Sequence, residues 1–545
     1  MKKKDLKTSV SGKIIDIHER KIFSGSVTVS DGKILSIEEA ESACDFYILP
    51  GLVDSHIHIE SSMITPGAFA KAAVKQGTVA VVSDPHEIAN VMGMQGVSYM
   101  LRDAGEVPLK FYFGAPSCVP ATMFETSGAS LNSDEVKKLL SMPEIHYLSE
   151  MMNYPGVIYD DKEVGEKLNS ASAFGKPVDG HAPGLSGQML EKYVSKGIST
   201  DHECSNLSEA LEKIGLGMKI IIREGSAARN LDALKSLYGT NPGMLMLCSD
   251  DLHPDLLKVR HINKLIAKLV NEGYDIFDII RSATIIPKQH YKLETGTLMP
   301  GNPADFIVVD DIRTMNVIET WIDGRKVYEN GSALFNYIPG KPVNNFNCSE
   351  ISTDDILVRA TAEKVKVIKA FDGELLTGEI SWEHKQGDRI NARPEEDMLK
   401  LVVKDRYNDS PPSIAFINGF GLKNGAIASS IGHDSHNIIC VGASDDDIVN
   451  AVNEIVTLKG GLAVSAQGIT NSIQLNIAGI MSTMSCDEIA AQYDKLNCII
   501  KSLGCSMNAP FMTLSFMALL VIPELKLSDK GLFDVKQFSL TSIFT

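Results

Sequence analysis

Between positions 51 and 287 the chain alternates short apolar runs with longer stretches in which apolar residues recur every three or four positions. The runs have the length of buried strands, and the stretches between them have the spacing of amphipathic helices, as in the capped segment SDEVKKLL at 133–140. The apolar runs are Leu52–Asp54, Thr78–Val82, Lys110–Phe113, Ile145–Leu148, Pro177–Val178, Ile198–Ser199, Met218–Ile222 and Met244–Leu247.

Eight strand–helix units in about 235 residues match the size of a (β/α)8 barrel. We therefore predict an α/β protein with a TIM-like barrel over residues 51–287. A doubly wound parallel sheet is the alternative arrangement of the same units.

Two segments in which apolar and polar residues alternate, as they do in β-strands, flank this region. The first is GKIIDIHERKIFSGSVTVSDGKILSIEE at 12–39, and the second is LETGTLMPGNPADFIVVDDIRTMNVIETWIDGRKVYENG at 293–331. Both contain Asp-Gly turns typical of hairpins. We predict that residues 1–50 and 288–345 form one small β-sandwich domain, and that residues 346–545, where strands and helices are mixed, form a C-terminal α+β domain.

The charge and composition of the chain indicate which kinds of binding partner to expect. The 545 residues include 52 Lys and Arg against 69 Asp and Glu, a net charge of −17. Such a chain repels polyanions, so we expect no nucleic-acid partner. No apolar stretch is long enough to span a membrane, and the early lysines precede no apolar signal region. These features predict a cytoplasmic protein that acts on a small molecule, and they allow a homodimer.

The clearest chemical motif is Asp-Ser-His-Ile-His, which directly follows the first apolar run. Residues two apart on a strand point to the same side, so His56 and His58 present two imidazoles to one point. Two such nitrogens are half of a metal site. The alternative is a pair of histidines that only form hydrogen bonds.

Later runs end in further residues of metal-ligand type, at the barrel end where active sites lie. These residues are Glu150, His181, His202 and Asp250. Their repeated occurrence at predicted strand ends favours the metal site over hydrogen-bonded histidines. A metal-free barrel that acts as a scaffold would be expected to have lost some of them.

The motifs LPGLVDSHIHIESS, VSDPHEIANVMG, HAPGLSG, TDHE and CSDDLHP resemble those of the metal-dependent amidohydrolase superfamily, and in it the bacterial adenine deaminase family. The resemblance extends over essentially the whole chain. It implies a binuclear divalent centre in which Glu150 stands where many relatives have a carbamylated lysine. The implied metal ligands are His56, His58, Glu150, His181, His202 and Asp250.

The ligands implied by this resemblance contain only nitrogen and oxygen donors, so Mn(II), Fe(II) and Zn(II) all suit them. The resemblance favours manganese or iron. It also implies that adenine is the substrate and that a metal-bound hydroxide replaces its amino group, giving hypoxanthine and ammonia. Another amidohydrolase activity, on a cyclic amide or an N-acetyl group, is the alternative.

Several carboxylates are candidates for proton transfer in this reaction. We expect Asp250 to carry the proton of the nucleophile to the leaving amine. Glu87 and Glu150 are both candidates for the donor to the purine ring. The predicted substrate-binding residues are Asp84, His86, Glu60 and His253.

A second histidine motif, His433-Asp434-Ser435-His436, lies in the predicted C-terminal domain. It could bind an additional ion, reach into the barrel mouth, or form a polar turn stabilised by its own Asp and Ser. The turn is the simplest of these interpretations.

Overall fold

The computed structural model describes residues 7–41, 44–384 and 387–545. The chain begins with a meander of three antiparallel strands, in which an Asp-Gly turn joins the second strand to the third. Asp31 and Gly32 both have positive φ, 51° and 79°, as a tight hairpin turn requires. A fourth strand then pairs in parallel with the first. These strands are β1 (Thr8–Asp16), β2 (Lys21–Ser30), β3 (Lys33–Glu39) and β4 (Tyr47–Pro50).

Eight strands follow and pair in parallel around a barrel. Their residues are almost all buried, which explains why they read as continuous apolar runs. The strands are β5 (Leu52–Ile57), β6 (Thr78–Ser83), β7 (Lys110–Ala115), β8 (Ile145–Met151), β9 (Val178–Gly180), β10 (Thr200–Asp201), β11 (Lys219–Arg223) and β12 (Leu245–Cys248).

Backbone contacts close the two parts of this sheet into a ring. Asp250, just after β12, donates its N–H to the His56 carbonyl at 3.0 Å, and Ile198 bridges to Val178 between β9 and β10. The predicted barrel is therefore confirmed, and an open doubly wound sheet is excluded. The sixth apolar run was placed too early, because β10 begins at Thr200. Strands of two or three residues are defined by their neighbours more than by their own sequence.

Helices connect the barrel strands and cover the outside of the barrel. The predicted segment 133–140 is α4, capped by Asn132 and Glu135 in a reciprocal capping box. The helices are α1 (Pro66–Lys75), α2 (His86–Met92), α3 (Met94–Ala104), α4 (Ser133–Leu140), α5 (Tyr154–Ile158), α6 (Lys162–Ala173), α7 (Gly187–Ser195), α8 (Leu207–Gly215), α9 (Leu231–Leu234), α10 (Pro254–Leu257), α11 (Ile262–Asn271), α12 (Ile276–Ser282) and α13 (Ile285–Tyr291).

Strands after the barrel return to the N-terminal meander. Phe306 pairs with Pro50 in an antiparallel register, which joins both segments into one eight-stranded sheet in the order β16-β15-β14-β13-β4-β1-β2-β3. The predicted union of the two distant segments is confirmed. The returning strands are β13 (Phe306–Val309), β14 (Val317–Ile322), β15 (Arg325–Glu329) and β16 (Ser332–Ala333).

The remaining chain forms the α+β unit that the sequence predicts, built on a second eight-stranded sheet. The sheet has the strand order β19-β18-β22-β21-β24-β23-β25-β26, and the other strands of the unit form two smaller sheets. The strands of the whole unit are β17 (Val358–Arg359), β18 (Lys364–Lys369), β19 (Gly378–Glu383), β20 (Arg389–Ile390), β21 (Leu399–Lys404), β22 (Ser413–Asn418), β23 (Ala426–Ser429), β24 (Ile438–Gly442), β25 (Gly461–Ala466), β26 (Ile469–Gln474), β27 (Leu525–Ser528), β28 (Gly531–Asp534) and β29 (Ser539–Leu540). Its helices are α14 (Asp445–Leu458), α15 (Cys486–Ser502) and α16 (Pro510–Phe516).

This C-terminal unit packs directly on the barrel. One hydrophobic cluster runs without interruption from barrel residues such as Met63 and Leu257 to Tyr493 and Phe511 in the C-terminal helices. The loop between β23 and β24 therefore lies over the mouth of the barrel. In the part of the chain that the structure describes, no helix combines the length and the apolar character needed to cross a bilayer.

Candidate metal centre

Six side chains of metal-ligand type converge at the C-terminal ends of the barrel strands. They come from five of the eight strands, and each is at most 6% exposed. The central cluster, as we call this group, consists of His56, His58, Glu150, His181, His202 and Asp250.

The donor atoms of the central cluster lie close to one another. The Nε2 atom of His58 is 3.3 Å from each of three atoms, namely His56 Nε2, Glu150 Oε1 and Asp250 Oδ1. Ligands about 2.1 Å from one ion at a tetrahedral angle would be separated by roughly 3.4 Å. The spacing of these atoms therefore suits a divalent cation.

Glu150 has the central position among the imidazoles. Its Oε2 atom is 2.9 Å from His181 Nδ1 and 3.2 Å from His202 Nε2, while its Oε1 atom faces His58. The two oxygens thus face different histidines. A carboxylate in this position can bridge two cations without the carbon dioxide adduct that a lysine needs.

The ring nitrogens on the far side from the cluster donors differ in their partners. In the described part of the chain, His56 Nδ1, His181 Nε2 and His202 Nδ1 have no hydrogen-bond partner, whereas the other nitrogen of each ring faces Asp250 or Glu150. The Nδ1 atom of His58 does have a partner, because it donates to the Asp84 carbonyl at 3.2 Å and so leaves the Nε2 lone pair directed at the cluster.

Asp250 is held by a residue that the sequence reasoning missed. Arg223, the last residue of β11, donates to Asp250 Oδ2 at 2.5 Å and to Glu203 Oε2 at 3.0 Å. Burial opposes the ionisation of Asp250, but Arg223 and His58 hold the pKa of its carboxyl well below the usual range. Its backbone also has a positive φ of 53°, an uncommon conformation often found at functional sites.

Glu203 and Arg223 lie at the ends of predicted strands, as the residues of the central cluster do. Glu203 comes directly after His202 in the motif TDHE, and Arg223 closes the run KIIIR. Strand-end position was therefore an available signal for both residues. A search for metal ligands passes over an arginine, and in the motif TDHE the histidine is the more obvious ligand than Glu203.

The C-terminal unit covers the central cluster. Leu375, Phe516 and Leu519 line the small cavity above it, together with His433 and Asp434. The cavity measures about 30 Å³, which holds only a few water molecules. The second histidine motif thus lies at the barrel mouth.

The remaining candidate residues have different surroundings. His86 and Glu87 begin α2 and line the cavity, whereas Asp84, Glu60 and His253 are absent from its lining among the described residues. Asp84 instead supports His86, because its Oδ2 atom lies 3.0 Å from His86 Nδ1.

Glu60 and His253 lie nearby, each with its own partner. Glu60 Oε1 accepts the N–H of Ile88 at 3.2 Å, and burial raises the pKa of Glu60 to about 7. His253 Nδ1 lies 2.8 Å from the hydroxyl of Tyr493, and burial lowers the pKa of His253 to about 3. His253 also lines a larger neighbouring cavity of about 500 Å³ at the boundary with the C-terminal unit.

The chain is similar to known proteins over nearly its whole length. Residues 47–327 match the amidohydrolase family, and residues 374–539 match the adenine deaminase C-terminal domain. Among solved structures, a β-aspartyl dipeptidase from Fervidobacterium islandicum is 15% identical and aligns with a TM-score of 0.46 over 61% of this chain and all of that one.

Curated relatives match nearly the whole length. Adenine deaminase of Methanosarcina barkeri is 52% identical over 543 residues, 98% of both chains. Adenine deaminase of Salinibacter ruber is 49% identical over 98% of this chain and 99% of its own, and that of Borreliella burgdorferi is 44% identical over 97% and 98%. The amidohydrolase family implies a divalent metal centre, which the buried His, Asp and Glu cluster can hold. The chain belongs to the amidohydrolase family and, within it, to the adenine deaminases.

Proposed function

We propose that this chain hydrolyses adenine to hypoxanthine and ammonia at the central cluster. The observation that supports this most strongly is the match to curated adenine deaminases over 98% of both chains, at 52% identity. Relatives that acted on a cyclic amide or an N-acetyl group would share the barrel motifs. The match to the adenine deaminase C-terminal domain at 374–539 favours adenine over those substrates.

The side chains that would hold the divalent centre are His56, His58, Glu150, His181, His202 and Asp250, and Glu150 would be the ligand shared by both cations. The donors are nitrogen and oxygen atoms, which suit Mn(II), Fe(II) and Zn(II). The resemblance to adenine deaminases favours Mn(II) or Fe(II), and Zn(II) is the alternative. When bound, such cations lower the pKa of water and so supply a nucleophile near neutral pH.

Asp250 is the proposed proton carrier. Its Oδ1 atom lies 3.3 Å from His58 Nε2 and 3.7 Å from His56 Nε2, and Arg223 holds its other oxygen. The carboxylate is therefore ionised and fixed beside the place where the nucleophile forms. We assign to it the transfer of a proton from the nucleophile to the departing amine.

Glu87 is the proposed proton donor on the side of the purine ring. Both Glu87 and Glu150 line the cavity, but Glu150 belongs to the proposed metal ligands, whereas Glu87, in the first turn of α2, lies outside that set. His433 lies 2.8 Å from Glu87 and can share the proton that the ring nitrogen needs. His86 is the proposed substrate contact. Asp84, Glu60 and His253 are the proposed supporting residues, which contact neighbouring groups outside the lining of the cavity.

Binding of adenine requires the cavity to widen. Ten ring and amino atoms do not fit in about 30 Å³. We expect the C-terminal side chains Phe516 and Leu519 to move when the base binds. Their burial then excludes water from the reaction.

The test is ammonia release by manganese-loaded protein incubated in parallel with adenine, adenosine, guanine and dihydroorotate. We expect release from adenine, with hypoxanthine as product, and far less from adenosine. Comparable kcat/KM for adenine and adenosine would point to a nucleoside deaminase. Turnover of dihydroorotate in place of adenine would support the cyclic-amide alternative.

A further inference from the structure

A second group of buried ionisable side chains lies at the barrel mouth, beside the central cluster. His86 and Glu87 come from the start of α2 in the barrel. His433, Asp434 and His436 come from the loop between β23 and β24 of the C-terminal unit. We call these five residues the mouth cluster.

Four donor atoms of the mouth cluster surround one point. Glu87 Oε1 is 2.8 Å from His433 Nδ1 and 3.5 Å from His86 Nε2. Asp434 Oδ1 is 3.5 Å from the same His433 atom and 3.8 Å from the same His86 atom. His436 contacts the other oxygen of Glu87. These spacings are close to the roughly 3.4 Å expected between ligands of one small cation.

Hydrogen bonds alone do not account for these contacts. Both carboxylate oxygens of Glu87, Asp434 Oδ2 and both ring nitrogens of His436 lack a hydrogen-bond partner of acceptable geometry among the described residues. All three side chains are at most 3% exposed. Of these atoms, Glu87 Oε1 is one of the four that surround the point, and a buried polar atom without a hydrogen-bond partner is where a bound ion or an ordered water is expected.

The charges of the mouth cluster also favour a bound cation. No lysine or arginine in the described chain forms an ion pair with Glu87 or Asp434, whose only such partners are histidines. Two carboxylates buried without a permanent positive charge are costly. A divalent cation would neutralise both.

The tautomer of His86 also suits a ligand. Its Nδ1 atom faces Asp84 Oδ2 at 3.0 Å, and Glu150 Oε1 lies 3.4 Å from the same atom. A proton on Nδ1 is therefore stabilised, which leaves the Nε2 lone pair free toward Glu87 and Asp434. A carboxylate that orients a histidine in this way is common behind metal ligands.

We propose that the mouth cluster binds an additional divalent transition-metal cation, separate from the central cluster. Its ligands are His86 Nε2, Glu87, His433 Nδ1 and Asp434. Two nitrogen and two oxygen donors suit Mn(II), Fe(II) or Zn(II) rather than Ca(II) or Mg(II). Because the ligands come from two units, the cation fastens the C-terminal unit onto the barrel mouth.

This site rests on the geometry of the mouth cluster and does not depend on the proposed reaction. With the cation bound, Glu87 is a ligand, so the proton-donor role assigned to it above belongs to the state without the cation.

The test is the metal content of the full chain, stripped by chelation, reconstituted with MnCl2 and desalted. We expect about three manganese ions per wild-type chain, and about two in Asp434→Asn and in His433→Gln. His384→Asn is the matched control, because this histidine of the C-terminal unit contacts the Ala362 carbonyl and belongs to neither cluster. It should retain about three ions.

Two results would overturn the proposal. One is a wild-type content of about two ions, and the other is retention of about three ions by both variants. If neither variant folds, anomalous scattering from wild-type crystals soaked in MnCl2 decides: a peak between His86 Nε2 and Asp434 Oδ1 supports the site, and its absence overturns it. Because the readout is metal content, a failure of the proposed deaminase activity would not alter the result.

Discussion

The central cluster and the mouth cluster differ in how the chain assembles them. Every member of the central cluster comes from the barrel and lies at the end of one of its strands. The mouth cluster joins two barrel residues to three from a loop far downstream. The first arrangement follows from strand order, whereas the second depends on how another unit packs over the barrel. The predictions below test whether the two clusters also differ in their share of the chemistry.

The largest effect is expected from His56→Ala. This substitution removes a proposed ligand whose Nε2 atom lies 3.3 Å from His58 Nε2. Bound metal and turnover should fall together, with kcat/KM for adenine lower by about 10³-fold or more. Elemental analysis and steady-state kinetics on the same preparation measure both.

His290→Ala is the control for that loss. It removes a half-buried imidazole, 3.3 Å from the Ser199 hydroxyl and outside both clusters. Metal content and rate should stay near wild type. If His56→Ala bound as much metal as this control, the assignment of the central cluster would be wrong.

A smaller loss is expected from Asp250→Asn, which preserves shape and one oxygen ligand but removes the base. Loss of proton transfer should lower kcat by about 10²- to 10⁴-fold, while metal content falls much less. The neighbouring Asp251→Asn is the matched comparison, because the Asp251 carboxylate accepts a hydrogen bond from Ser61 at 2.5 Å. Near-normal kcat in Asp250→Asn would assign the proton transfer to another group.

The same contrast explains what the sequence could predict. The periodicity at 51–287 predicted the barrel, and strand-end position led to His56, His58 and Asp250, because parallel strands bring their ends to one face. No such rule connects Glu87 with His436. Their approach depends on the shared hydrophobic core of barrel and C-terminal unit, whose packing is not visible in local patterns. The motif at 433–436 is visible in the sequence, but its contact with Glu87 is not.

His436→Gln tests the contribution of the mouth cluster to catalysis. His436 contacts the second oxygen of Glu87 and is 1% exposed. Because it acts through Glu87, we expect about a 10- to 100-fold loss in kcat/KM with the metal of the central cluster retained. A loss in kcat/KM as large as that of His56→Ala would mean that the mouth cluster contributes as much to catalysis as the central cluster.

The smallest effect is expected on the stability of the C-terminal unit that packs over the barrel mouth. Lys526 donates to the carbonyls of Leu375 and Phe516, and burial lowers its pKa to about 7. Between pH 7 and about 10.5 the unfolded chain therefore binds more protons than the folded chain at this residue, so the free energy of unfolding rises with pH.

Lys526→Met removes that slope. Thermal unfolding at pH 7 and at a pH near 9.5 should show wild-type Tm increasing relative to the variant by a few degrees. Parallel Tm values for the two proteins across this range would mean that Lys526 stays charged in the folded chain. Its carbonyl partners would then outweigh the cost of its burial.

The most direct test of the account compares ammonia release from adenine by one preparation in three states: manganese-loaded, stripped by a chelator with metal content verified, and reloaded with Mn(II). We predict release in the first state, none above background in the second, and recovery in the third, with hypoxanthine formed in step with ammonia. Full turnover by verified metal-free protein would contradict the central claim, that the strand-end cluster acts through bound metal.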